Sequence, residues 1–185
     1  MADSGITKKA LAGALKKLME EMPFSKISVG DICERCDMNR KSFYYHFKDK
    51  YDLVNWVFDT EFMEFLGETS GLEGWDFFVK LCEYLYAHHD FYRRALKIDG
   101  QNAFREHFRV ILEKLVSSAL TRIEDTEAAD PFQTQFITDG FVCALERWIL
   151  ERDCVPPDRF AAQVESVLHT MAMRIYTKLE TENKQ

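Results

Sequence analysis

The sequence predicts an all-α protein of about nine helices, and three observations predict it. Glycine and proline are scarce, 8 and 4 in 185 residues, below their usual shares of about 7% and 5%. Apolar residues recur at spacings of three and four, the period of one helix face. Sustained alternation of period two, which a half-buried strand requires, is absent. A hydrophobic content of 46%, with 14% aromatic, is ample for a packed core.

The elements follow from their breakers. A helix over 5–22 carries the face Leu11, Leu15 and Leu18 and stops at Pro23. Two short helices, 28–36 and 39–46, meet at Asp37–Met38, where Asp37 can take the left-handed conformation that ends a helix. Ser28 with Asp31 three residues on resembles a capping box, and Asn39 suits the second N-cap. A longer helix over 49–67 buries Leu53, Trp56 and Val57 behind an Asp49 cap. Gly67, Gly71 and Gly74 form a junction before helices at 73–88 and 90–97. Gly100 precedes a helix over 101–124, Pro131 opens one over 131–152, and Pro156–Pro157 opens the last, 157–180. That last helix bears the stripe Phe160, Val164, Val167, Leu168, Met171 and Ile175 over four turns.

Charge separates along the chain. The net −7 argues on its face against a polyanionic partner. Yet residues 1–50 balance to +3 and residues 51–185 to −10, as for a basic reader joined to an acidic body. The expected division is therefore a basic unit over 1–50, suited by its charge to nucleic acid or a membrane surface, and a helical body over 51–185, joined by the helix from about 49.

Several classes are set aside. No uncharged apolar run approaches the roughly 18–20 residues of a membrane span. The lysine-interrupted N-terminus has no signal-peptide core, and five cysteines suit a reducing cytoplasm better than a disulfide framework. A cytoplasmic protein is expected. No G-x-S-x-G, H-E-x-x-H or phosphate loop occurs, and the carboxylate pairs Glu20–Glu21 and Glu124–Asp125 lie on polar surfaces, so no enzyme and no cofactor is expected. The lone pair Cys33 and Cys36 lacks the two further ligands that zinc needs. It reads as helix packing, with no metal.

Phe24 to Leu53 carries the function. Two short helices joined so tightly form a helix-turn-helix, whose second helix can enter a major groove. Phe43 and Phe47 face inward, leaving Arg40, Lys41, Tyr44 and Tyr45 outward with Ser42 and His46 at the flanks. Arginine and lysine reach base edges or phosphate, and tyrosine hydroxyls donate to phosphate. Asn39, Lys48 and Lys50 complete this face, Lys50 as a phosphate contact at a helix N-terminus. Ser28 and Val29, opening the first reader helix, join the candidate DNA contacts. Thr7, Lys8 and Lys9 are candidates for the flanking backbone.

This stretch resembles the DNA-binding domain of the TetR (tetracycline-repressor-like) family of one-component regulators. The matching residues are Ile27-Ser28-Val29, Asp31-Ile32, the turn Cys36-Asp37-Met38, then Ser42-Phe43-Tyr44-Tyr45-His46-Phe47, Lys50 and Leu53. The close likeness covers about residues 6–56. Two departures stand out: Cys36-Asp37 replaces the family's common Ala-Gly, and Lys41 stands where many relatives carry a small residue. The resemblance implies a homodimer on a near-palindromic operator, its C-terminal body holding the dimer interface and an effector pocket. Family members are mostly repressors released by a small molecule. A subgroup with a similar Y-Y-H-F-K-D-K-Y-D-L-V run includes activators of dihydroxyacetone-kinase operons, some of which respond through a partner protein.

Two further sets are candidates. Trp75, Phe78, His88, His89, Tyr92 and Arg93 gather aromatic and basic groups that could line an effector pocket. The alternative places the histidines at a helix C-terminus, complementing its dipole. Phe136, Phe141, Leu145 and Trp148 of one helix, with Val164, Leu168, Met171 and Ile175 of the next, could form a four-helix dimer interface, or close the core of one chain. The expected partners are double-stranded DNA, a second copy, and a small effector or partner protein.

Overall fold

The computed structural model describes residues 2–72, 74–98, 104–124 and 128–182, leaving aside the side chains of 2–4, 123–124 and 175–182. Among these the chain is all helix: α1 (Ala2–Glu21), a 3-10 turn (Phe24–Lys26), α2 (Val29–Arg35), α3 (Arg40–His46), α4 (Lys50–Glu68), α5 (Gly74–Ala87), α6 (His89–Ala95), α7 (Phe104–Glu124), α8 (Pro131–Leu150) and α9 (Pro157–Glu182). The all-α expectation holds. The breaker at Gly100 and the carboxylate of Asp125 lie outside the described residues.

Side-chain caps set the boundaries. Ser28 and Asp31 form a reciprocal capping box at the start of α2, the Ser28 N–H donating to Asp31 Oδ2 at 2.7 Å and the Asp31 N–H to Ser28 Oγ at 3.2 Å. Asp37 takes a φ of 54°, turning the chain within three residues, while the Met38 N–H closes on the Cys33 carbonyl at 2.8 Å. Asn39 accepts from the Ser42 N–H, and Asp49 from the N–H groups of Tyr51 and Asp52. Asp130 caps α8 ahead of Pro131, whose missing N–H costs nothing at that position.

Helix α1 packs against α2, α3, α4 and α6, so the three N-terminal helices share one small core. Helix α4 leaves that core and packs against α7; α5 lies on α9, and α7 on α8. An aromatic cluster holds the middle: Phe58 and Phe62 of α4, Tyr92 of α6, and Phe104 and Phe108 of α7 are all essentially inaccessible to solvent. Phe58 meets Phe62 at 5.0 Å and Phe104 at 5.2 Å, centroid to centroid. Burying each phenyl contributes about 1.5–3 kcal/mol. Two polar contacts also tie α1 to the body. The Arg94 Nη1 of α6 donates to the Met19 carbonyl, and Lys16 meets Glu61 of α4 at 2.7 Å.

Helices α8 and α9 correct part of the interface expectation. Leu145 and Trp148 are buried within their own chain; Trp148 lies parallel to Phe160 at 4.4 Å and donates its indole N–H to the Val155 carbonyl. Phe141 packs on Phe78 at 5.2 Å, and Val164 is half-buried against the core. These four close the monomer. Exposed apolar residues remain at Phe132 and Phe136 of α8, and at Val167, Leu168, Met171 and Met173 of α9. The Ile175 side chain lies outside the described residues.

Candidate nucleic-acid interface

The reader presents α3 outward because Phe43 and Phe47 anchor its opposite face. Both phenyl rings are buried, packed 5.8 Å from one another, and Phe47 meets Trp56 of α4 at 5.7 Å. That geometry leaves Tyr44 58% and Tyr45 83% exposed, with Arg40 and Lys41 on the same surface and Lys48 just beyond. Adjacent exposed rings framed by polar residues are the pattern of an interaction surface. The face therefore combines cations, phenolic hydroxyls and apolar edges, the set that meets phosphates and base edges in a groove.

Other predicted contacts take different places. Ser28 and Asn39 accept backbone N–H groups with their side-chain oxygens, so both serve as helix caps. Val29 and Ser42 are half-buried. His46 is also half-buried, its ring 4.8 Å from Tyr45 and 6.4 Å from Phe47. Lys8 is drawn inward, its ammonium 5.7 Å from the Phe47 ring and 5.6 Å from that of Trp56.

Lys50 is the main correction. Its ammonium donates to the carbonyls of Phe24 at 2.8 Å, Ser25 at 3.4 Å and Ile27 at 2.6 Å, and lies 4.5 Å from the Phe24 ring centroid. A lysine has three N–H donors, and all three are directed at the main chain that leads into α2. The residue expected to hold phosphate holds the reader together instead.

Gly30 was not singled out by the sequence, yet it bears on the site. A Cβ there would stand 2.6 Å from Arg40 Nη2. The bare backbone of α2 thus makes room for the guanidinium, which also helps hold the Asp31 carboxyl below its ordinary value, after the larger effect of the Ser28 hydrogen bonds. The signal in the sequence was a helical glycine ten residues ahead of an arginine, which no spacing rule connects. Cys33 is buried and Cys36 Sγ lies 3.2 Å from the Ile32 carbonyl. Burial pushes both thiols up, so they pack as neutral side chains.

In the body, the predicted effector set is not assembled. His88 lies against Tyr84 at 4.8 Å, and His89 Nε2 donates to the Glu151 carbonyl at 3.1 Å. Tyr92 is fully buried and donates its hydroxyl to Tyr84 at 3.0 Å. Burial pushes the Tyr84 phenol up to about 12 and Tyr92 well above its usual value, so both stay neutral. Arg93 faces Asp90 at 3.8 Å. Trp75 packs on Phe78 at 4.9 Å, and of the six only Phe78 lines the body's apolar cavity. That cavity, about 280 Å³, lies between the end of α4 and helices α5, α7 and α8; Leu66, Phe77, Leu112, Leu115 and Phe141 wall it.

A model of the tetR family of bacterial regulatory proteins matches residues 11–57, and one of a transcriptional regulator C-terminal region in the same family matches residues 73–170. The chain belongs to the TetR family. It is a DNA-binding transcriptional regulator of that family, and α2 and α3 are its helix-turn-helix. Among curated TetR-type relatives, the HTH-type dhaKLM operon transcriptional activator DhaS of Lactococcus lactis is 30% identical over 144 residues, 77% of this chain and 74% of the relative. Two solved structures share the TetR fold. One, described as the dihydroxyacetone kinase operon activator DhaS, aligns at a TM-score of 0.65 and 24% identity over 90% of this chain and 96% of that one. A TetR transcriptional regulator from Streptococcus agalactiae aligns at 0.68 and 23%, over 88% and 93%. No described helix is long and apolar enough to cross a membrane.

Proposed function

We propose that this TetR-family protein is a cytoplasmic, non-enzymatic homodimer that places two α3 helices in successive major grooves of a near-palindromic operator. The observation that carries the reading is the exposure of Tyr44 and Tyr45 beside Arg40 and Lys41, on a helix whose other face is locked by Phe43 and Phe47. Arg40, Lys41, Tyr44, Tyr45 and Lys48 contact the DNA. The flanking half-buried residues shape the helix ends.

Dimerisation rests on Phe136, 70% exposed, and on Leu168 and Met171 of α9, 44% and 59% exposed. Stacked across a two-fold axis, these apolar faces would be withdrawn from water as a four-helix contact. The two readers would then stand about 34 Å apart, one turn of duplex.

For the sign of regulation, the Lactococcus relative supports activation of an operon. The second reading, repression relieved by an effector, is supported by the apolar cavity walled by Phe77, Phe78 and Phe141. A ligand there acts only to the extent that it binds one reader spacing better than the other.

The test is to capture fragments of the source genome on the full-length protein and footprint those retained. Two protected half-sites about one helical turn apart are expected, with Tyr44→Ala weakening binding by about 1–3 kcal/mol. Transcription in vitro from the retained promoter then gives the sign. Fragments retained without regard to sequence would overturn the reading.

A further inference from the structure

A second opening lies at the other end of α4 from the apolar cavity. It is a cleft of about 470 Å³ between the end of α1, the 3-10 turn, the first turn of α4 and the end of α6. Tyr51 borders the cleft and Leu66 the cavity. Tyr51 and Leu66 are fifteen helical steps apart, a rise of about 22 Å, so the two openings are distinct.

The charges in the cleft are one-sided. Arg93, Arg94 and Lys97 line it against a single carboxylate, Glu21. Both oxygens of that carboxylate are already engaged by the Arg35 guanidinium, at 2.7 and 2.6 Å. The acid facing Arg93 is Asp90, 79% exposed and 3.8 Å away, and Arg94 donates to a neutral carbonyl. The Nε atoms of Arg93 and Arg94 are shielded from solvent, and neither makes a hydrogen bond among the described residues. Shielded guanidinium N–H groups of this kind carry the desolvation cost without the bond that would offset it. Phe24 and Tyr51, edge to face at 5.2 Å, form an apolar wall beside them. A cationic concavity with aromatic walls therefore lies where residues 1–50, of net charge +3, meet a body of net charge −10.

We propose that this cleft binds a small organic oxyanion, its carboxylate or phosphate held by Arg93, Arg94 and Lys97 and its flat apolar part laid against Phe24 and Tyr51. Guanidinium groups match paired oxygens of either head group. The bound molecule touches the reader through α1, the 3-10 turn and α4, and the body through α6. It acts as a wedge or a clasp at the joint between them.

Calorimetry on the full-length protein tests this, with benzoate, phenyl phosphate and inorganic phosphate as probes at an ionic strength held constant with chloride. Saturable binding of one molecule per chain is expected for at least one aromatic probe, and weaker binding for inorganic phosphate. Preference between benzoate and phenyl phosphate identifies the head group. Arg94 stays intact because it ties α6 to α1. The variant Arg93→Gln with Lys97→Gln, its helicity checked by circular dichroism, should bind about tenfold more weakly or worse. Lys114→Gln, an exposed charge on α7, should bind as the parent does. No saturable heat up to about 10 mM, binding undiminished in the double variant, or equal loss in Lys114→Gln would each overturn the proposal.

Discussion

Lys50, the first residue of α4, donates its ammonium to the carbonyl of Ile27 at 2.6 Å. With the bonds to Phe24 and Ser25, this joins the helix that leads into the body to the segment that leads into α2. Lys50→Met should therefore lower stability by about 1–3 kcal/mol, the range for a hydrogen-bonded charge that loses its partners. Urea titration measures this. The salt slope of operator binding should stay unchanged in Lys50→Met and flatten in Lys41→Ala and Lys48→Ala, since only neutralised phosphates release counterions. A flattened slope in Lys50→Met would return it to the DNA-contacting set.

Gly30 and Arg40 form a second pair. A methyl group at position 30 would displace Arg40 Nη2, now 2.6 Å from where that carbon would stand. Gly30→Ala should keep global stability within about 1 kcal/mol of the parent, because alanine improves helix propensity while a flexible side chain yields. Operator affinity should nonetheless fall by about 1 kcal/mol or more as the guanidinium is re-aimed. Parallel urea melts and operator titrations separate the two effects, and equal affinity in both proteins would show that the seat on Gly30 is irrelevant to binding.

The Ser28–Asp31 capping box predicts a pH effect. Hydrogen bonds from the Ser28 N–H and hydroxyl, with smaller help from Arg40 and Lys50, hold the Asp31 carboxyl below its ordinary value near 3.8. The folded protein thus binds that proton more weakly than the unfolded chain does. The stabilisation is fully present above the unfolded value and is lost as pH falls through the folded one. Asp31→Asn should remove this part of the acid dependence, so that parent and variant converge in stability at low pH. Acid titration followed by circular dichroism would show it; parallel curves for the two proteins would contradict the assignment.

Phe136 and Trp148 sit on the same helix, and the sequence placed both at an interface between chains. Phe136 is 70% exposed and Trp148 3%. Phe136→Glu should yield a folded monomer in sedimentation, where the parent should run at about twice its 21.7 kDa. Trp148→Ala should cost about 3–5 kcal/mol, as for a large aromatic removed from a core. A Phe136→Glu protein that remains a dimer would move the interface elsewhere.

Much of the fold was legible because its signals are local. The capping pair Ser28 and Asp31, the left-handed Asp37, the Asn39 and Asp49 caps and the prolines at 131 and 157 act within one turn of themselves, and each stands where the sequence put it. The outward face of α3 was legible for the same reason: on a helix of two turns, burying Phe43 and Phe47 leaves Tyr44 and Tyr45 outside.

The residues that were misplaced share one property. Their partners are distant in the chain. The N-terminus of α4 marks Lys50 as a phosphate ligand in the sequence, whereas the carbonyls it meets lie more than twenty residues upstream. His88, His89, Tyr92 and Arg93 are neighbours in sequence, but His88 and the buried Tyr92 meet Tyr84, His89 meets Glu151 and Arg93 meets Asp90, while the apolar cavity is lined by none of the four. Whether an apolar stripe such as that of α8 faces its own core or another chain is likewise invisible to periodicity, which reports that a face is apolar and not what covers it. Sequence thus established the helices, their ends and the outward face of α3 through interactions spanning three or four residues. The uses of Lys50, Gly30 and Trp148 awaited the packing of α1, α4 and α6 to α9, because a long side chain's role is set by the groups that folding brings within its reach.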